Sequence, residues 1–333
     1  MLETVSEQAA VPEVSVIIPA YCAAKYIKTA LDSVRAQTVT NFEVIVVNDG
    51  SPDTGDLELI LDRSGLTITY IKQENKGPAA ARNAAIRVAA GTYLAFLDSD
   101  DYWMPNYLSD QLAIFRSGLP VDLVYADAVL VENPLLSGKT FMSLTPSNGQ
   151  ANFEGLLTAR CTIILSGTVV RKQCVVDAGL FDEALSHSED FDLWLRLARA
   201  GAKLVYQKKA LLFRRELPTS LCGNPISLLR CQIRVYIKLL RQNRLAPHEE
   251  ALVRKQIAKT KAAIKLEQAR LCFARGEFRR AQRSIEAASL VTRSLKLRVV
   301  TFWLRHSPGL LFRIYKYRER RLQLSKPASA SVS

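Results

Sequence analysis

The sequence predicts an α/β protein: a doubly wound, mostly parallel, Rossmann-like sheet followed by an all-helical, strongly basic region. Three observations carry that reading. From residue 14 to residue 97, short apolar runs alternate with helical patterns, a rhythm that belongs to parallel sheets covered by helices on both faces. Three of the four strand-like runs stop at a proline or a cluster of turn-forming or acidic residues, as loops gathered at one sheet edge would require. The charge also reverses along the chain: residues 1–213 hold 18 Lys+Arg against 25 Asp+Glu, whereas those from Arg214 onward hold 27 against 7.

In order, residues 14–18 read as a buried strand stopped by Pro19, and 23–37 as a helix with Ile27, Leu31 and Val34 on one face. A second strand, 42–47, ends in Asn48-Asp49-Gly50-Ser51-Pro52. A third strand (66–71), an alanine-rich helix (77–90) and a fourth strand (92–97) follow. The fourth is apolar throughout instead of alternating, so both of its faces are covered. Residues 121–131 read as a long strand, 132–150 as a long Pro-, Ser- and Gly-rich loop suited to acceptor contacts, and 169–170 as part of another strand. A helix over 189–199, a strand over 203–213 and a mobile loop over 214–220 complete this part. Beyond it, 225–243 and 248–275 have helical periodicity, and 269–288 resembles one tetratricopeptide-like hairpin. The expected division is a flexible tail at 1–13, a catalytic domain at 14–215 and a basic helical region at 216–333.

The 333 residues, 48% hydrophobic and 23% charged, describe a globular protein with ample core. Six cysteines are scattered without any Cys-x-x-Cys, which argues for reduced thiols and against a zinc site. Residues 1–13 carry three Glu and no Lys or Arg, unlike a secretory leader, and no apolar run reaches the length of a membrane span. A cytoplasmic location is expected, with peripheral contact to the inner membrane face left open. Nucleic acid is not an expected partner, because the aromatics of the basic region sit inside helical apolar stripes.

The chemistry concentrates at Leu97-Asp98-Ser99-Asp100-Asp101, directly after the fourth strand. Ligands of open α/β sheets bind outside the carboxyl ends of strands, and carboxylates two apart on a tight turn can share one hard cation that in turn holds a diphosphate. The competing reading is a solvated acidic turn.

Five segments, residues 14–21 (VSVIIPAY), 44–51 (VIVVNDGS), 75–83 (NKGPAAARN), 97–101 (LDSDD) and 188–197 (SEDFDLWLRL), together resemble the family 2 glycosyltransferases over about 14–215. The resemblance implies a GT-A fold, a nucleotide-sugar donor, a divalent cation (Mn2+ or Mg2+) on Asp98 and Asp100, and transfer with inversion. It assigns Pro19, Ala20, Tyr21, Asp49, Lys76, Arg82, Asp98 and Ser99 to the nucleotide sugar, with Tyr21 stacking on the base and Asp49 accepting from a uracil N–H. On residue type alone, Tyr21 reads equally as a packing residue and Arg82 as an exposed helix charge. Many relatives carry a histidine near 214–215 that completes the metal shell. This chain has Arg214 and Arg215 there instead, so the resemblance assigns no third protein ligand, and the two arginines suggest a cationic clamp over the diphosphate. It also lacks the Gln-x-x-Arg-Trp motif of processive synthases, so one sugar per encounter is expected, added to a glycan, a lipid-linked or another carrier.

Inverting transfer needs a catalytic base, and Glu189 and Asp190 are adjacent candidates. Asp190 heads the stripe of Leu193, Trp194 and Leu197 and sits in a first turn, where the helix dipole favours its ionised form, whereas Glu189 lines up with Asp192 and Arg196 on a more polar side. Family similarity also favours Asp190. Residues 292–323 mix apolar and basic residues, the composition either of a helix on an anionic membrane surface or of one packed on its own protein with a solvated basic face. Two other functions fit parts of the pattern: a metal-dependent nucleotidyltransferase and a catalytically inactive nucleotide-sugar-binding protein on the same fold.

Overall fold

In a computed structural model, which describes residues 11–132, 135–145, 147–217, 225–242, 245–292 and 294–324, the chain forms two compact units, Met1–Gly223 and Asn224–Ser333. The first contains β1 (Val14–Ala20), α1 (Ile27–Arg35), β2 (Phe42–Asp49), α2 (Thr54–Asp62), β3 (Ile68–Gln73), α3 (Pro78–Val88), β4 (Tyr93–Phe96), β5 (Tyr102–Trp103) and α4 (Tyr107–Phe115). It continues through β6 (Leu123–Glu132), β7 (Leu135–Thr140), α5 (Phe141–Leu144), α6 (Phe153–Leu157), β8 (Thr168–Arg171), α7 (Lys172–Asp177), α8 (Glu189–Arg199) and β9 (Leu204–Arg215).

The strands make one sheet in the order β3-β2-β1-β4-β8-β6-β9-β5, with β7 paired to β6. β3, β2, β1 and β4 are parallel, as the alternating pattern requires. β8 runs antiparallel between β4 and β6, and β6 and β9 are again parallel. The chain leaves β1 for β2 and β3 on one side, then returns to β4 on the other, so the strand order reverses between β1 and β4. A crevice therefore opens beyond their carboxyl ends. Val14, Val16, Ile17 and Ile18 of β1 and Leu94, Ala95 and Phe96 of β4 are fully buried. Alanines at 79, 80, 81 and 85 let α3 approach this sheet closely. At Gly91, a Cβ would lie 2.5 Å from the Ser15 backbone nitrogen, so only glycine fits the turn into β4.

Three local expectations change. The helix after β1 begins at Ile27, not at residue 23, because Cys22 N–H donates to Ser51 Oγ and Ala24 N–H to Asp53 Oδ2, which binds residues 22–24 to the loop after β2. The 132–150 segment contains β7 and α5, since β6 offers it a free edge for pairing. Arg214 and Arg215 belong to β9 and not to a mobile loop, for pairing with β6 continues through Val131↔Arg215.

In the second unit lie α9 (Pro225–Arg241), α10 (Pro247–Ala274), α11 (Phe278–Thr292), α12 (Leu295–His306) and α13 (Pro308–Leu324). The basic stretch is thus two helices, broken where Pro308 cannot continue α12. Their inner residues Leu297, Val300, Leu304 and Leu311 pack on Ala269 of α10 and Ile285 of α11. Among the described residues, no helix is long and apolar enough to cross a membrane. The proposed tail at 1–13 falls mostly outside the described residues.

Candidate active site

The site is built around a buried arginine. Arg82, one turn into α3, is 4% exposed and not the surface charge its helical position allows. One guanidinium nitrogen donates to Asp98 Oδ1 at 2.7 Å and the other to Glu189 Oε1 at 2.7 Å. Asp98 stands at the mouth of β4, and Glu189 opens α8. A buried charge is tolerated only when paired, so this geometry fixes the β4 turn against the start of α8. Ser188, in the left-handed region at φ 62°, turns the chain into that helix.

Glu189 and Asp190, adjacent at the start of α8, have different surroundings. Glu189 is buried against Arg82, and Asp192 is buried and paired with Arg196. Their side of the helix is polar, as the spacing indicates, and its carboxylates are buried. Asp190 is half-buried, and its Oδ1 accepts from the Phe191 N–H at 2.7 Å. Burial, then the neighbouring Glu189 charge, push its carboxyl up to about 7, against the opposing pull of the Phe191 N–H and Arg82. The helix start was expected to favour the ionised form; desolvation outweighs it. A carboxylate with that proton affinity is suited to take and return a proton near neutral pH.

On the β4 turn, Asp98 keeps a side chain 37% exposed, while Ser99 and Asp100 are half-buried and Asp101 is buried. Asp100 is pushed up to about 6 by burial first and the Asp98 charge second, with Arg214 and Arg215 opposing. Burial, then the Asp100 and Asp98 charges, also hold Asp101 well above the usual carboxylate range. Its Oδ1 accepts from the Arg215 N–H at 3.0 Å, so Asp101 anchors β9 to the turn. Arg215 also donates to the Asp100 carbonyl oxygen at 2.8 Å, and its guanidinium lies 5.5 Å from the centre of the Tyr26 ring and 4.9 Å from that of Tyr102. Arg214 packs over Phe141. Both arginines bring positive charge to the turn from an ordered strand.

On the other side of the crevice, Pro19 and Ala20 end β1, and Tyr21 is 52% exposed, which sets aside its reading as a packing residue. Asp49 is buried at the end of β2 and already accepts from Gln73 Nε2 (2.7 Å), Lys76 N (2.9 Å) and Gly77 N (2.8 Å). It therefore shapes the loop that leads into α3. The Lys76 side chain is exposed.

The residues fit a divalent cation by donor chemistry. Asp98 and Asp100 are hard oxygen donors on one turn, and Asp100, raised first by burial and second by the Asp98 charge, is a carboxylate whose ionised form a cation would favour. Among the described residues no cluster of three or more His, Cys, Asp or Glu could hold a metal.

Ser166, to which no sequence motif assigns a role, supports the turn after β4. Its hydroxyl accepts from the Asp98 N–H, its side chain bonds to Asp101, and its carbonyl receives the Trp103 indole N–H at 2.7 Å. It lies 68 positions from Asp98, so no local pattern could have shown this.

The family model described as glycosyl transferase family 2 matches residues 15–133, which include Asp49, Arg82 and the Asp98–Asp101 turn. An uncharacterized glycosyltransferase of Rickettsia bellii is 33% identical over 208 residues, or 61% of this chain but only 29% of that protein, so the chain matches under a third of that relative's length. The Escherichia coli protein WfgD, named as a UDP-Glc:alpha-D-GlcNAc-diphosphoundecaprenol beta-1,3-glucosyltransferase, is 30% identical over 187 residues, covering 56% of this chain and 70% of WfgD. Among solved structures, residues 1–349 of Staphylococcus aureus TarS with UDP-GlcNAc align with a TM-score of 0.60 at 21% identity, over 93% of this chain and 92% of that one, a likeness of fold. With the crevice between β1 and β4, the paired aspartates and the sequence matches in agreement, this chain belongs to glycosyltransferase family 2 and has its GT-A fold.

Proposed function

We propose that the chain is an inverting, non-processive glycosyltransferase. It moves one sugar from a uridine-diphosphate-linked donor to a hydroxyl of a glycan or lipid-linked carrier, in cell-envelope or exopolysaccharide-type synthesis. What supports this most is the ion pair of buried Arg82 with both Asp98 and Glu189, which ties the donor-side turn to the helix that carries Asp190. The name of WfgD favours a uridine donor and a diphosphate-linked lipid carrier. In this reading residues 14–215 do the chemistry, in the cytoplasm, and 216–333 form a separate basic helical region.

Asp190 takes the proton of the acceptor hydroxyl, whose oxygen attacks the anomeric carbon from the face opposite the diphosphate. The bond from that carbon to the phosphate oxygen breaks, and its electron pair leaves with the nucleoside diphosphate. Glu189 holds Arg82 and, through its charge, raises the proton affinity of Asp190. A divalent cation, Mn2+ or Mg2+ on Asp98 and Asp100, would stabilise the charge gathering on the leaving diphosphate as a Lewis acid. Tyr21 offers a stacking face to the base, Asp49 keeps a lone pair for a uracil N–H, and Pro19, Ala20 and Ser99 line the donor cleft. Lys76, Arg214 and Arg215 supply positive charge to the diphosphate.

Screening nucleotide sugars for release of nucleoside diphosphate tests this. The expected result is Mn2+-dependent hydrolysis of a uridine-diphosphate sugar that is lost in Asp100→Ala. A strong guanosine preference contradicts the donor assignment. Tight binding of a nucleotide sugar without hydrolysis or transfer to any acceptor would favour the inactive binding protein instead.

A further inference from the structure

The helix α12 carries two apolar stripes where a packed surface helix needs one. Leu297, Val300 and Leu304 are the inner stripe, packed with Leu311 on the α10–α11 hairpin. Leu295, Val299 and Phe302, spaced i, i+4 and i+7, form a second stripe about half a turn away and are 73%, 56% and 58% exposed. Leu310 and Ile314 repeat the i, i+4 spacing on α13 and are exposed too. At 100° per residue, Lys296 flanks the outer stripe of α12 on one side, and Arg298 and Arg305 flank it on the other. All three are exposed. Between Leu295 and Tyr317 there are five Lys or Arg and no Asp or Glu.

We infer that the outer face of α12 and α13 is a docking surface for an anionic phospholipid bilayer. The apolar stripe enters the headgroup boundary while the basic residues on either side meet lipid phosphates. Charge decides between this and a second copy of the chain. An isologous contact would bring basic faces together with no carboxylate between Leu295 and Tyr317 to offset them. An anionic surface complements them. The chain's three tryptophans make the contact easy to follow, because Trp103 and Trp194 are buried whereas Trp303, beside the stripe, is 41% exposed.

The test adds vesicles of phosphatidylcholine, with or without phosphatidylglycerol, to the full-length protein. The expected result is co-sedimentation and a blue shift of Trp303 emission with the anionic vesicles only, both weakened by salt. Lys296→Gln/Arg298→Gln/Arg305→Gln should loosen binding by about fivefold per charge, on the order of a hundredfold in all. Leu295→Ser/Val299→Ser/Phe302→Ser should abolish the shift while leaving donor hydrolysis and helical circular dichroism unchanged, as the replaced side chains are exposed. The charge variant keeps the test informative if the serine variant misfolds. Equal binding to neutral and anionic vesicles, no binding to either, or undiminished binding by the charge variant overturns the inference. A lipid-independent dimer that the serine variant loses assigns the stripe to a second copy and overturns it as well.

Discussion

Replacing Asp190 with Asn should move stability and activity in opposite directions. Burial and the Glu189 charge raise the Asp190 carboxyl from 3.8 to about 7, so above that pH the folded protein holds an ionised group that its surroundings disfavour. At about 1.4 kcal/mol per pH unit the full cost would be about 4 kcal/mol. Asp190 is partly accessible and shares the Arg82 charge, so about 2–4 kcal/mol is a fairer figure. Asn keeps the shape and drops the charge. For a unit of this size the midpoint of thermal unfolding should then rise by roughly 5–10 °C near neutral pH. The sign follows from the raised proton affinity: the cost is complete above the folded value of about 7, shrinks as pH falls, and is gone near the unfolded value of 3.8. Thermal melts with a chelator present, at about pH 7.5 and about pH 5 and followed by the buried Trp103 and Trp194, should show a gap that narrows by more than half. Sugar transfer should meanwhile fall by roughly 10²–10⁴-fold, the usual contribution of a general base, with donor binding nearly unchanged. A lower midpoint for Asp190→Asn at neutral pH, or a gap independent of pH, refutes the burial argument. A loss of transfer in Glu189→Gln but not in Asp190→Asn reverses the assignment of the base.

Arg82→Met leaves Glu189 buried without its partner and should destabilise the protein by about 3–5 kcal/mol in urea unfolding, with partial recovery when Glu189→Leu is added. Because Asp100 binds its proton up to about pH 6, the apparent affinity for Mn2+ should weaken by roughly tenfold per pH unit below that value, measurable by titration calorimetry. At Gly50, φ is 65° and a Cβ would sit 2.6 Å from the Asn75 backbone nitrogen, so Gly50→Ala should displace the loop before α3. A rise in the donor KM with a stability loss of about 1–3 kcal/mol is expected. Arg214→Ala/Arg215→Ala should weaken donor binding; unchanged affinity would remove both from the diphosphate site.

The sequence alone determined the parallel half of the sheet, because burial on both faces of β1, β2 and β4 leaves a continuous apolar run that no other local structure explains. It also marked the Asp98–Asp101 turn, since three carboxylates directly after such a strand can lie only at the sheet edge. Tertiary structure decided how those groups behave. Arg82 meets Asp98 and Glu189 across 16 and 107 positions of sequence, and that distance hid both the ion pair and the burial of Glu189. The first-turn position of Asp190 suggested an easily ionised carboxyl, yet the dipole is a local effect and desolvation depends on every element packed around the group. Arg214 and Arg215 have the composition of a loop, and pairing with β6 made them strand. On α12, two apolar stripes are legible in the periodicity, but only packing against α10 and α11 shows which one is spent on the core and which remains exposed.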